Sequence, residues 1–148
     1  MSELSYLIYV SKQSYDLDQD DIDNILESSR VNNAQNNITG MLLYIEGNFF
    51  QVLEGKASYI LELYEKITKD KRHQNSVIVS QGNLEKRIFK DWTMKFKALS
   101  KKEFEELSGI TPFQKLFGLK PANIDNPALI FTKKFMNRKF PSVSWWGK

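Results

Sequence analysis

The chain contains no cysteine and a single histidine, His73, in 148 residues. The first absence excludes disulfides and thiolate metal sites, and the second argues against a zinc site built from protein ligands. No run reaches the roughly 18 apolar residues that a membrane-spanning helix needs. The opening M-S-E-L-S-Y also lacks the charged and apolar pattern of an export signal. The cytoplasm is therefore the expected compartment. Internal repeats and low-complexity segments are missing as well.

What is present is ordinary in amount and uneven in placement. With 41% hydrophobic and 13% aromatic residues, the chain can build one core and is too short for two comfortable domains. Its net charge of +3 is concentrated late: residues 1–100 carry 12 basic and 14 acidic side chains, and residues 101–148 carry 9 and 4. A basic tail can meet an acidic partner or nucleic acid, but most such charges are solvated helix faces.

Periodicity divides the chain. A strand is expected over about Ser5–Val10, then a helix from near Asp18 whose Ile22, Ile25, Leu26 and Ser29 form one stripe at spacings of three and four. Asn32 and Asn33 sit near its end. Two strand-like runs, Ile38–Ile45 and Phe49–Leu53, flank E-G-N, a tight turn in which Gly47 can take positive φ. A second helix spans about Ala57–Asp70 with Ile60, Leu63, Tyr64 and Ile67 as its stripe, followed by strands at Val77–Ser80 and Trp92–Leu99.

This order predicts an α+β fold: a ferredoxin-like, five-stranded mixed sheet with two helices on one face. The strands are apolar on both faces, so the other face needs a cover. The tail supplies candidates in Phe113, Leu116, Phe117, Leu129, Ile130, Phe131 and Phe135, punctuated by prolines. Residues 1–98 are thus expected to form the main domain and 99–148 a helical cap in the same unit. Trp145 and Trp146 are candidates for an intermolecular contact.

The sharpest local anomaly is a carboxamide, Gln51, in an otherwise apolar strand. A buried amide needs partners for two donors and an acceptor. Tyr9 lies in another apolar strand, so phenol and amide can meet on one sheet face and contact something polar and planar. By parity, Trp92, Met94 and Phe96 can join them.

Taken together, the Tyr9 strand, the N-N pair, I-T-G-M-L-L-Y, the F-x-Q-V-L-E-G segment at Phe49–Gly55, I-T-K-D-K-R-H at Ile67–His73 and R-I-F-K-D-W-T-M at Arg87–Met94 resemble a BLUF domain, a blue-light sensor using flavin. The tail resembles, more loosely, the helical cap of short members with no enzymatic output domain. The resemblance implies a flavin ring flanked by Ile25 and Ile67, with Asn32, Asn33 and Gln51 at its polar edge. It implies Lys66, Asp70, Arg72 and His73 at the ribityl and phosphate end. Position 66, often arginine in relatives, is lysine here, a point charge in place of a fork. Asn37 stands where relatives often have glycine, and asparagine tolerates a left-handed backbone.

Tyr9 and Gln51 are the implied photochemical pair, and Trp92 and Met94 the implied output residues. The flavin is expected to be FAD, with FMN and riboflavin as alternatives. The remaining expectations are no enzymatic activity, no membrane or nucleic acid, self-association, and signalling through a separate downstream protein. Two rival classes have less support. A flavin enzyme needs a second titratable group at the ring edge. A ferredoxin-like RNA-binding module suits the pI of about 9.0, but needs an open sheet face with aromatics interleaved with arginines.

Overall fold

The computed structural model describes residues 4–108, except 88 and 90–92. In chain order the elements are β1 (Leu4–Gln13), α1 (Gln19–Gln35), β2 (Thr39–Ile45), β3 (Asn48–Lys56), α2 (Ala57–Lys69), β4 (His73–Asn83), β5 (Lys95–Leu99) and α3 (Lys101–Ser108). The strands form one sheet in the order β4-β1-β3-β2-β5. β5 runs parallel to β2 and every other pairing is antiparallel, so the sheet is mixed, as expected.

Local chemistry explains where the elements begin and turn. Asp18 caps α1 by accepting from the Asp21 amide at 2.9 Å, while the Asp21 carboxylate accepts from the Asp18 amide at 3.1 Å. At the other end the Asn36 amide donates to the Asn32 carbonyl, and Asn37 reverses the chain at φ +53°. Glu46 and Gly47 both have positive φ, the combination a two-residue hairpin turn requires. Gly40 allows β2 to sit against β3, because a Cβ there would lie 1.8 Å from the Val52 carbonyl oxygen.

Register then places the buried groups. Tyr9 lies opposite Gln51, Gln51 opposite Leu42, and Leu42 beside Phe96, making one row across four strands. This face packs under Ile22, Ile25 and Leu26 of α1 and Ile60 of α2, with Leu63, Tyr64 and Ile67 partly buried beside them. Each fully buried apolar side chain there contributes about 1.5–3 kcal/mol.

The opposite face carries Ile8, Val10, Leu43, Phe50 and Val52, all buried. Phe104 of α3 packs on Phe50 at 5.8 Å between ring centroids, and α3 itself is capped by reciprocal bonds between Ser100 and Glu103. The cover expected from C-terminal helices thus begins at α3. The remainder of the expected cap, including the apolar tail residues from Phe113 to Phe135 and both C-terminal tryptophans, lies outside the described residues.

Element bounds and one burial differ from expectation, and β5 begins at Lys95 where a start at Trp92 was expected. β4 is much longer than Val77–Ser80, because an edge strand can place polar side chains in solvent and still pair, so only its centre carries an apolar signal. α2 stops at Lys69, with Asp70 as its cap. Ser29, read as part of the buried stripe of α1, is only half-buried because it borders an open cleft.

Candidate functional site

Tyr9 and Gln51 are 1% and 4% exposed. The Tyr9 hydroxyl donates to Gln51 Oε1, and Gln51 Nε2 donates to Met94 Sδ at 3.4 Å. Tyr64 packs against the Tyr9 ring at 5.3 Å, and its own hydroxyl shares a 2.8 Å hydrogen bond with Ser76 Oγ. Burial, with smaller contributions from the nearby Tyr64 and Asp70, pushes the Tyr9 phenol far above its ordinary value. The hydroxyl is therefore held protonated as a donor.

Above this pair, α1 and α2 enclose a cleft. Of the nine residues expected to contact flavin, Ile25, Asn32, Gln51, Lys66, Ile67, Asp70, Arg72 and His73 all line it. Ile25 and Ile67 supply apolar walls from the two helices, while Tyr9 and Gln51 form part of the floor. Ser28, Ser29, Leu42 and Leu63 complete the lining. The serines escape a sequence-based reading of the site because small polar groups on a helix carry no distinctive periodic signal.

The polar end is organised by ion pairing. Arg72 grips Asp70 through Nη2 at 2.6 Å and Nε at 3.0 Å, and this hydrogen bonding holds the Asp70 carboxyl below its usual range. His73 packs its ring on Phe49 at 4.5 Å and places Nδ1 3.0 Å from Ser11 Oγ. Burial lowers the His73 pKa to about 4, outweighing the pull of Asp70, so the imidazole is neutral at pH 7.

Asn33 is the one expected contact residue that the cleft lining does not include. It is fully buried, its Nδ2 donates to the Thr93 carbonyl at 2.7 Å, and its Oδ1 has no hydrogen-bond partner among the described residues. An orphaned buried amide oxygen costs about 1–3 kcal/mol. Arg30, one turn earlier on α1, donates from Nε to the Met94 carbonyl at 3.3 Å. Met94 is buried in the cluster that contains Tyr9, whereas Trp92 lies outside the described residues.

Between β4 and β5, the described residues Arg87 and Phe89 are tied to β2, β3 and the turn before β2. Arg87 donates to Thr39 Oγ1, the Glu54 carbonyl and the Asn37 carbonyl, and the Phe89 amide donates to the buried Glu54 carboxylate at 2.9 Å. The site and these residues therefore share β3: Gln51 faces the helices and Glu54 faces the other side.

The donor set fits a flavin. It offers two apolar walls, neutral amides for a rim of carbonyls and N–H, and cations at the outer end. The void is about 110 Å³, and the space between the walls out to the open mouth is about 600 Å³.

Fold and site together define a ferredoxin-like module with a redox-capable phenol hydrogen-bonded to a side-chain amide beneath a cleft. The family model for BLUF, sensors of blue light using FAD, matches residues 4–95, and the chain belongs to that family. Photoactivated adenylate cyclase subunit alpha of Euglena gracilis is 36% identical over 87 residues, covering 59% of this chain and 8% of that protein. The beta subunit of Euglena longa is also 36% identical, over 94 residues, covering 63% and 11%. The chain thus spans about a tenth of the length of these curated relatives.

Two solved structures are similar over most of both chains. The dark-state structure of BlrB, a BLUF protein, is 30% identical with a TM-score of 0.68, covering 92% of this chain and 96% of that one. The photo-activated state of BlsA is 28% identical with a TM-score of 0.75, again covering 92% and 96%. The protein is a blue-light photoreceptor domain of the flavin-binding type. The RNA-binding alternative is not favoured, and α3 already occupies part of the sheet face such a module would expose.

Proposed function

We propose that light is sensed through Tyr9 and Gln51 and reported through Met94. The observation that carries this reading is the continuous chain of contacts from the Tyr9 hydroxyl to Gln51 Oε1, and from Gln51 Nε2 to Met94 Sδ. When bound and excited by blue light, flavin supplies a one-electron oxidant at the cleft floor. Tyr9, buried and protonated, would be the side chain able to give such an oxidant an electron and its phenolic proton and to take both back. Gln51 would lose its donor meanwhile, so its amide would rotate or tautomerise to find new partners and stay re-paired once Tyr9 is restored.

Asn32, Asn33 and Gln51 are the proposed partners of the flavin's polar edge, and Ile25 and Ile67 flank its faces. The orphaned Asn33 Oδ1 supports this assignment, since a buried acceptor without a donor is matched by an N–H at the ring rim. Lys66, Arg72 and His73 form the outer end with Asp70. FAD is the proposed flavin, in keeping with the family description. Gln51 release of Met94, with Trp92 on the same segment, shifts the packing of β5 and α3. Signalling is proposed to run through a separate partner and through self-association, as in a sensor whose output is a change of packing.

The test is absorption of the purified, flavin-loaded chain before and after blue illumination, followed by sizing in both states. A reversible red shift is expected. A spectrum unmoved by light overturns the reading, and extraction of FMN in place of FAD overturns the choice of flavin.

A further inference from the structure

The position of Met94 Sδ matters to the proposed switch, yet methionine is unbranched and flexible. Met94 also precedes the first paired residue of β5, Lys95. Something other than sheet pairing must hold its backbone. We infer, on the basis of the function proposed above, that Arg30 is a positioning residue for the Gln51 switch: its bond to the Met94 carbonyl keeps Sδ within reach of the Gln51 amide.

The geometry separates Arg30 from its neighbours. Arg30 and Asn33 are three residues apart on α1, so they share a face, and they donate to the successive carbonyls of Met94 and Thr93. Asn33 belongs to the proposed flavin contacts and changes with the ligand. Arg30 is not among the proposed flavin contacts, and its observed bond is to the segment's own backbone. Its guanidinium is half-buried, and burial lowers its pKa, but arginine remains charged and its hydrogen bond is charge-assisted.

The consequence is kinetic. After illumination Gln51 has left Met94, and return to the dark pairing requires Sδ to be waiting in place. Without Arg30 the fraction of molecules with Met94 in position falls, and recovery slows by that fraction.

The experiment compares Arg30→Ala and Arg30→Lys in the flavin-loaded full chain, each alone and with Met94→Leu. Arg30→Ala should keep the red shift and slow dark recovery roughly three- to tenfold, the rate factor of one net hydrogen bond. Arg30→Lys should restore most of the rate. With Met94→Leu, which keeps the carbonyl but removes Sδ, Arg30→Ala should no longer change recovery. Amide exchange of the flavin-free chain in the dark should be faster in β5 for Arg30→Ala and unmoved in β1 and β3.

Unchanged recovery in Arg30→Ala, or equal slowing in the Met94→Leu background, overturns the inference. Unaltered β5 exchange overturns it too, and does so whether or not the parent protein responds to light. A parent protein with no red shift instead defeats the function proposed above.

Discussion

Replacing Tyr9 with phenylalanine removes one atom from the centre of the site and tests both halves of the reasoning. The ring and its 5.3 Å contact with Tyr64 are retained, so packing should barely change. What is lost is the only donor that the described residues provide to Gln51 Oε1, in a side chain that is 4% exposed. Leaving that acceptor unpaired costs about 1–3 kcal/mol, less than the ~5–15 kcal/mol that holds a domain together, so the variant should fold. Urea denaturation should show a lower midpoint at an unchanged slope.

The photochemical effect of Tyr9→Phe is of another order. Phenylalanine has no phenolic proton to give and is far harder to oxidise, so flavin should bind and the light-induced red shift should disappear. Because burial holds the parent Tyr9 protonated, the parent's shift should not titrate between about pH 6 and 9. An unimpaired shift in Tyr9→Phe would refute the electron-donor role. A variant more stable than the parent would refute the hydrogen-bond argument.

The remaining expectations concern other parts of the same machinery. Asn33→Ala removes a bond to Thr93 together with an orphaned oxygen, so stability without flavin should change by less than about 1 kcal/mol while flavin affinity falls tenfold or more; fluorescence titration returning the parent affinity would count against the ring contact. His73 has a folded pKa of about 4 against 6.5 unfolded, so below pH 6.5 the unfolded chain binds the extra proton. Its contribution, up to about 3 kcal/mol, is complete above pH 6.5 and is lost as pH falls toward 4; His73→Asn should flatten that part of a stability-against-pH curve. Gly40→Ala places a Cβ on the Val52 carbonyl and should cost more than about 3 kcal/mol or prevent folding, and a circular dichroism melt near that of the parent would contradict the close strand approach.

The framework of the site could be read before any coordinates because its signals are local, whereas its flavin contacts came from the resemblance to BLUF domains. Period-two alternation assigned Tyr9 and Gln51 to strand faces, Gly47 marked the hairpin, and Asp18 with Asp21 announced the start of α1. Each depends on residues a few positions apart, whose geometry is set by backbone sterics and hydrogen bonding. The length of β4 was not legible in the same way, since an edge strand's polar residues look like a loop until a neighbour pairs with them.

Other features belong to the tertiary structure alone. That Tyr9 stands directly opposite Gln51 is a matter of register between strands some forty residues apart, and one residue of slip would send Gln51 to the other face. The turn of Asn33 toward Thr93, the grip of Arg30 on the Met94 carbonyl and the burial of Glu54 under Phe89 all depend on residues between β4 and β5. Composition and spacing determined the strands, the helices and a phenol and an amide able to share a sheet face, and the resemblance to BLUF domains named the photosensor residues. Long-range packing decided which of them touch, because contact between distant residues is settled only when the whole chain has closed around its core.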